Sequence, residues 1–582
     1  MARASSRTLR LSPNALTVLR RRYLDKNADG KPVETPLQLF RRVADNVAQA
    51  ERAHGGTSRA VARTSELFYG LMTRLEFLPN SPTLMNAGRD LQQLSACFVL
   101  PVEDSLESIF DSVKHQALIH QSGGGTGFSF SHLRPKNDRV ASTSGVASGP
   151  ISFMRVFNMA TEVIKQGGAR RGANMGILRV DHPDILDFIA AKQNPAELTN
   201  FNISVGITDA FMRALERGQE YALTTPRTGR TVGRLSAASV FDRIVEAAWS
   251  TGEPGVVFLD TINAHNPTPH IGRIESTNPC GEQPLLAYES CTLGSLNLVK
   301  FVTGAPKKPA IDFDRLAEAT AHAVHFLDNV LDMNQYPLPS IAAITKGNRK
   351  IGLGVMGFAD LLIKLGIPYD SAEALAIGEH IMQFIRERGH AASAGLARER
   401  GVFPNFKGSR LESEGRRLRN ATVTTVAPTG TISIIADCSP GIKPLYGVSY
   451  ARTVMDDVRL TSLHPEFVRR ARAAGIYSQS LAAKIAANES IQDLAEIPDD
   501  LRRLFVTAHD ITPEHHVRMQ AAFQQYSDSG VSKTINLPAK AAKADVAAAF
   551  TLAYQLGCKG LTVFRSGSRE HQVLFCANVQ YC

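Results

Sequence analysis

The chain has 582 residues, 43% of them hydrophobic and 21% charged, a globular composition that excludes a fibre or a disordered chain as the main state. Its 65 basic and 55 acidic side chains leave a formal net charge of +10, which favours anionic ligands without separating a nucleotide from a nucleic acid. No apolar run reaches the roughly 18 residues of a membrane-spanning helix, and 7 cysteines spread over this length are not a secreted disulfide scaffold.

Met1 to Arg7 is rich in Arg and Ser and lacks acids, as a transit peptide is, but it runs straight into a helical pattern; we read a cytoplasmic chain that begins there. Residues 12 to about 70 read as helices, with Leu37, Phe40, Val43 and Val47 three and four apart. After Phe77 the texture changes to short apolar runs broken by Gly, Pro and Asn, alternating with helices. Asp104 followed by Glu107 marks a helix start, with Leu106, Ile109, Phe110, Val113 and Ala117 as one apolar stripe. Thr422–Val426 reads as a buried strand, and Thr512-Pro513-Glu514 opens another helix, with His515 and His516 as surface or cap residues. Strands alternating with helices over some five hundred residues point to one large α/β domain; periodicity leaves barrel and open sheet both open.

Three glycine-rich stretches stand out: Gly123–Gly127, Lys165–Gly172 and Pro428–Ser433. In the last, main-chain N–H groups and the hydroxyls of Thr429, Thr431 and Ser433 suit either a phosphate cradle or a plain tight turn. Lys165, Arg170 and Arg171 among Gln166, Gly167 and Gly168 suit a mobile clamp on an anion. Gly352, Gly354 and Gly357 satisfy G-x-G-x-x-G, the basis of an alternative reading as an NAD(P)-dependent dehydrogenase. The fingerprint also requires a hydrophobic strand before it and an acid at a strand end about 20 residues later. Neither flank provides these, and we read the glycines as close helix packing. No C-x-x-C, H-E-x-x-H or Cys/His zinc spacing occurs, so no metal held by protein side chains is expected.

The most informative segment is Asn278-Pro279-Cys280-Gly281-Glu282-Gln283, with Cys291 ten intervening residues after Cys280. Pro279 and Gly281 oppose a helix, and an extended strip would project Asn278, Cys280 and Glu282 to one side. An amide, a thiol and a carboxylate so placed suit chemistry in which sulfur takes a hydrogen while a carboxylate takes a proton. Taken alone, the pattern equally describes a buried cysteine in a turn.

Beyond these motifs, the chain from about residue 12 to Leu574 resembles the large chain of ribonucleotide reductases, specifically the adenosylcobalamin-dependent class II type. The stretches that carry the resemblance are Leu78–Asn86, Ser95–Pro101, Gly123–Phe130, Gly149–Met175, Ser276–Leu298, Ala427–Ser433 and Ser532–Pro538. It implies a ten-stranded α/β barrel with a central finger loop, Cys280 at its tip. A helical region would occupy residues 1–70, the barrel 71–570 and a short tail 571–582. The resemblance further implies reduction of ribonucleotides to 2′-deoxyribonucleotides by a thiyl radical on Cys280, with Glu282 taking the 3′-hydroxyl proton and Asn278 holding the sugar. Cys97 and Cys291 would supply the electrons and end as a disulfide. Ser81, Ala96, Cys97, Gly125, Asn278, Pro279, Cys280, Gly281 and Glu282 would line the substrate, with Pro428, Thr429, Gly430, Thr431 and Ile432 around its phosphates. Lys165 to Gly172 would be the loop answering a deoxynucleotide effector.

Adenosylcobalamin is implied because the stretch Gly557–Arg565 lacks the two-tyrosine relay of class I chains and no glycyl-radical motif is present. The remaining implied partners are a thioredoxin or glutaredoxin reductant and a second copy in a homodimer, with diphosphate substrates and neither nucleic acid nor membrane. The leading helices leave no room for an ATP-binding regulatory cone, so specificity control without overall on/off control is expected. Cys576 and Cys582 form either a shortened dithiol shuttle or the end of a truncated tail, since the eight residues after Leu574 reach at most about 29 Å. Cys438 and Cys558 are expected to be structural. A non-catalytic nucleotide-binding protein is the remaining alternative.

Overall fold

The computed structural model describes residues 9–140, 145–164, 172–305, 308–454, 458–488, 490–568 and 574–575. The chain divides into two compact units, one of Met1–Ala96, Ser290–Leu365 and Ile381–Ile442, the other of Cys97–Glu289, Gly366–His380 and Lys443–Cys582.

The first unit opens with helices whose starts are written in the sequence. Ser12 caps Pro13–Val18, Thr35 and Gln38 form a reciprocal capping box on Pro36–Ala48, and Thr57 caps Ser58–Thr73. Leu39, Phe40, Val43 and Val47 are buried on Pro36–Ala48, which packs against Ser58–Thr73 and Phe313–Met333, and the unit contains a three-stranded sheet. In it Phe77–Pro79 runs antiparallel to Leu293–Asn297, which runs parallel to Gly352–Met356. Thr422–Val426 extends alongside the last strand: Leu353 N–H donates to the Val423 carbonyl at 2.7 Å and Thr425 N–H to the Leu353 carbonyl at 3.1 Å. The unit also buries an ion network in which the Asp328 carboxylate accepts from Arg349 at 2.7 Å and Arg400 at 3.2 Å.

The second unit is built on a seven-stranded sheet. From one edge, Cys97–Leu100, Gly125–Ser129, Asn174–Arg179, Phe201–Ile207 and Gly255–Phe258 are all parallel. Gly560–Arg565 then pairs antiparallel and carries Thr534–Leu537, parallel to it, at the far edge. Parallel pairing requires crossovers, and helices such as Leu106–Gln121, Pro150–Ile164 and Ala237–Thr251 supply them. The two sheets hold ten strands.

Two expectations are corrected. The helix at 106 is capped by Ser105, whose Oγ accepts from Ser108 N–H, because the Asp104 carboxylate is taken up by Arg134 at 2.9 Å. Its apolar stripe is only partly buried: Ile109 is buried, while Leu106 and Phe110 are 65% and 52% exposed. His516 is no surface cap either; although Thr512 does cap the helix Pro513–Gln524, the His516 ring is fully buried. Its Nε2 meets the Ala508 carbonyl and its Nδ1 lies 2.6 Å from Lys533 Nζ. Burial pushes the pKa of His516 and of Lys533 well below their ordinary values.

Candidate active site

Ser276–Thr277 and Pro284–Leu285 pair as a minimal antiparallel hairpin in the second unit, and Asn278 to Gln283 form its turn. The segment is therefore not the extended strip expected from alternation. Asn278 N–H donates to the Gln283 carbonyl, Gln283 N–H returns to Asn278 Oδ1 at 2.9 Å, and Gly281 N–H closes on the Asn278 carbonyl at 3.0 Å. Gly281 takes φ = +82°, a left-handed conformation that glycine adopts without a Cβ penalty. The turn sorts the side chains by environment: Asn278 and Glu282 are buried, and Cys280 is exposed at the tip.

The hairpin is fixed by glycines that admit its backbone. A Cβ on Gly127 would overlap the Thr277 carbonyl, and one on Gly125 would stand 2.9 Å from the Pro279 ring. Asn202, from the strand Phe201–Ile207 two places along the sheet, donates its side-chain amide to the Pro279 carbonyl at 2.9 Å. The same arrangement puts Asn278 Nδ2 3.8 Å from Cys97 Sγ, at the start of the edge strand Cys97–Leu100. Farther along that strand, Val99 N–H donates to the Glu289 carbonyl and Tyr288 N–H to the Val99 carbonyl.

In the first unit, Ala96 N–H donates to the Cys291 carbonyl at 3.3 Å, and Cys97 is the next residue after Ala96. Buried hydroxyls hold this point: Ser95 Oγ meets Ser290 Oγ at 3.1 Å, Asn334 Nδ2 donates to Ser95 Oγ at 2.8 Å, and Ser290 meets Thr345 Oγ1. Thr429, in the third glycine stretch, sits at φ = +52° with its Oγ1 accepting from Gly441 N–H at 2.7 Å, before the short helix Ile432–Ile435. The Ser433 hydroxyl there is buried without a hydrogen-bond partner among the described residues, and a Cβ on Gly430 would meet open space.

Comparison with known proteins identifies the family. The family model described as the ribonucleotide reductase barrel domain matches residues 95–417 and 410–564, and its all-alpha domain matches residues 9–92. The chain is 49% identical over 620 residues to the vitamin B12-dependent ribonucleoside-diphosphate reductase of Thermoplasma acidophilum, covering 97% of this chain and 80% of that one. It is 51% identical over 568 residues to the enzyme of that name from Mycobacterium tuberculosis H37Rv, covering 97% and 79%. This chain belongs to the ribonucleotide reductase family. Its fold also matches a solved Actinobacillus ureae class Id ribonucleotide reductase alpha subunit, with a TM-score of 0.78 over 96% of this chain and 97% of that one, at 23% identity.

For a ribonucleotide reductase, the G-x-G-x-x-G motif needs another explanation, and the structure supplies it. Gly352 and Gly354 lie inside the strand Gly352–Met356, where a Cβ on Gly354 would stand 2.5 Å from the Thr425 carbonyl. Gly354 serves close strand packing, not the helix packing expected, and neither of the two lies in a turn that could face a pyrophosphate. Ser81 opens the short helix Ser81–Asn86, its hydroxyl 2.7 Å from that of buried Tyr23. Lys165, Gln166, Gly167, Gly168, Arg170 and Arg171 lie outside the described residues, as do Cys576 and Cys582. Cys558 is buried and its thiol pushed up to about 12, while burial raises Cys438 well above the ordinary thiol range; both are poor nucleophiles.

Gln283 closed the segment read from the sequence but was assigned no role there, and Asn202 and Tyr23 were missed. Gln283 is buried beside Glu282, and its Nε2 has no hydrogen-bond partner among the described residues. Asn202 and Tyr23 carry no local signal at all, since each acts on a residue remote in the chain.

Proposed function

We propose that this chain reduces ribonucleoside diphosphates to 2′-deoxyribonucleotides with adenosylcobalamin as cofactor. The observation that carries the reading is the hairpin turn itself, with a thiol exposed at its tip and an amide and a carboxylate buried on either side. The names of the relatives near 50% identity supply the cofactor and the diphosphate. The tip also suits a large planar group: Cys280 is exposed, and a Cβ built on Gly281 meets nothing within 4 Å. Cys280 and Gly281 would face the bound cofactor. When bound, adenosylcobalamin supplies an unpaired electron through homolysis of its cobalt–carbon bond.

The chain's own residues then divide the work. Cys280, as a thiyl, takes the hydrogen atom from C3′ of the ribose, an exchange between bonds of similar strength. Glu282 accepts the proton of the 3′-hydroxyl as general base, and Asn278 hydrogen-bonds the sugar. The 2′-hydroxyl leaves as water and C2′ gains a hydrogen, the two protons and two electrons for this coming from the thiols of Cys97 and Cys291, which become a disulfide; Glu282 returns its proton to the 3′-oxygen, and Cys280 finally returns its hydrogen to C3′. Support for the cysteine pair is that Asn278 reaches Cys97 Sγ at 3.8 Å and that Ala96, peptide-bonded to Cys97, donates to Cys291. Support for a phosphate site at Pro428 to Ile432, near Ser81 in role, is the buried Ser433 hydroxyl left without a partner and the open space above Gly430. Ala96 and Gly125 would contribute main-chain contacts to the substrate.

A deoxynucleotide effector on the Lys165–Arg171 loop and a homodimer complete the reading. The dimer is supported by one apolar surface on two adjacent helices: Phe110 and Leu118 of Leu106–Gln121, and Met159 and Val163 of Pro150–Ile164, at 52%, 41%, 63% and 65% exposure. The reductant is of the thioredoxin or glutaredoxin class, acting directly or through Cys576 and Cys582, and the setting is the cytoplasm. Among the described residues no helix is long and apolar enough to cross a membrane.

The test is to incubate the chain with adenosylcobalamin, dithiothreitol and each ribonucleotide, and to assay for deoxyribonucleotide. Cobalamin-dependent product, abolished by Cys280→Ser, is the expected outcome. Absence of product with every ribonucleotide, or product from the Cys280→Ser chain, overturns the assignment.

A further inference from the structure

The hairpin that carries Cys280 has strands of only two residues each, Ser276–Thr277 and Pro284–Leu285. A ladder that short does not hold its own turn in one shape, because isolated hairpins are marginal at best. Gly125 and Asn202 secure the Pro279 side. The Glu282 side is met by a different element, a loop that belongs to neither helix nor strand. Gly530 N–H donates to the Glu282 carbonyl at 2.7 Å. The approach is backbone to backbone: a Cβ on Gly530 would stand 2.8 Å from the Gly281 carbonyl oxygen, 3.0 Å from that of Glu282 and 3.1 Å from Glu282 Cα.

The loop itself is held from beneath. Lys559 is 5% exposed, and its ammonium donates to the carbonyls of Asp528 at 2.6 Å and Ser529 at 2.9 Å. Gln524 Nε2 adds a third donor to this short stretch, reaching the Ser529 carbonyl at 2.9 Å. Lys559 is in turn anchored to the seven-stranded sheet. It immediately precedes the strand Gly560–Arg565, and its carbonyl accepts from Phe258 N–H at 3.0 Å. Charge-assisted hydrogen bonds from a buried ammonium are stronger and shorter than neutral ones. A rigid path therefore runs from the sheet through Lys559 to the loop carbonyls, and from Gly530 to the residue two places after Cys280.

We propose that Lys559 and Gly530 are positioning residues for the Cys280 thiol, acting through this loop as a splint that holds the turn in its reactive shape. The proposal rests on the reading of Cys280 as the hydrogen-abstracting group and adds what keeps it in place. Neither residue touches substrate or thiol. Lys559 fixes the loop, and the missing side chain of Gly530 lets the loop seat against Gly281 and Glu282.

The experiment compares the full chain with Lys559→Met and Gly530→Ala, reading two quantities. The first is turnover with adenosylcobalamin and dithiothreitol, split into kcat and KM. The second, taken without cofactor or substrate, is the iodoacetamide labelling rate of each cysteine by peptide mass spectrometry. In both variants kcat is expected to fall at least tenfold with KM within about twofold, inside the roughly 100-fold cost of a 1 Å misplacement of reacting groups. Cys280 labelling should change at least threefold, while Cys97, Cys291 and Cys558 keep their wild-type protection. Wild-type kcat together with wild-type Cys280 labelling overturns the proposal. So does loss of protection at all the buried cysteines in both variants, which would make the two residues supports of the fold at large. If the wild-type chain makes no deoxyribonucleotide, the reading of Cys280 fails on its own, and the labelling comparison still decides whether Lys559 and Gly530 hold the turn.

Discussion

Replacing Gly125 with alanine tests the idea that the hairpin's place is set by contacts that leave no room for a side chain. Gly125 begins the strand Gly125–Ser129, which is paired on both sides, by Cys97–Leu100 and by Asn174–Arg179, so the strand has little freedom to retreat. An alanine Cβ would stand 2.9 Å from Pro279 Cγ and 3.4 Å from both Pro279 Cδ and the Ala173 carbonyl. Carbon atoms rest comfortably at about 3.5–4.0 Å, so the proline ring must move by roughly 0.6–1 Å. The ring cannot fold away, and its carbonyl is held by Asn202 at 2.9 Å, so the shift passes along the backbone to Cys280. Overpacking of this kind costs about 1–3 kcal/mol of stability, and misplacing reacting groups by about 1 Å costs on the order of 100-fold in rate. Gly125→Ala is therefore expected to lower kcat by roughly 30- to 100-fold with a KM change under about threefold. The assay is initial-rate kinetics at saturating adenosylcobalamin and dithiol, beside a thermal melt. Gly233→Ala is the matched control, since its Cβ would meet only Leu223 Cδ1 at an ordinary 3.7 Å. Full kcat in Gly125→Ala, with or without a lowered melting temperature, would refute the reasoning.

Three further outcomes are expected. Burial holds the His120 pKa at about 4, so between pH 6.5 and 4 the unfolded chain binds a proton the folded chain refuses. Stability is then full above the unfolded value and falls as pH drops through this window, by about 3 kcal/mol at most; urea melts at pH 7 and 4.5 should show the loss, and His120→Gln should remove that share of it. Asp328, with no exposed surface, accepts from Arg349 Nη2 at 2.7 Å, Arg400 Nη1 at 3.2 Å and Asn420 Nδ2 at 3.0 Å. Asp328→Asn keeps the shape but leaves buried cations undercompensated, at a cost of about 3–5 kcal/mol read from the denaturant midpoint; a loss under about 1 kcal/mol would show that the remaining acids suffice. Phe110→Glu puts a charge on the apolar helix surface and should shift sedimentation from dimer to monomer while Cys280 labelling stays unchanged; a variant that still sediments as a dimer locates the interface elsewhere.

The candidate segment was legible in the sequence because an amide, a thiol and a carboxylate within five residues needs no fold to be noticed, while the roles proposed for them came from the family resemblance and not from the pattern alone. One helix start was legible for a similar reason, since Thr512 caps by accepting from the His515 N–H only three residues away. The shape of the turn was not. Alternation favours a strip, and the bend comes from Gly281 at φ = +82° together with bonds between Asn278 and Gln283. The dehydrogenase-like glycines misled on their kind of packing because Gly354 answers to the Thr425 carbonyl, a neighbour no local pattern announces. His516 was misplaced as a surface residue for the same reason: its burial depends on Ala508 and Lys533, which the helix pattern does not reveal.

Residue identity by itself thus determined which segment to examine, the residues that carry the family resemblance, and that strands and helices alternate. Only the tertiary structure decided that Cys280 stands in the open while Asn278 and Glu282 are enclosed, that Asn202 from 77 residues away holds Pro279, and that Gly530 bears on Glu282. The division follows from the range of the forces. Caps, turns and reactive types are expressed within a few covalent bonds, whereas burial and backbone-to-backbone approach exist only after distant segments have packed.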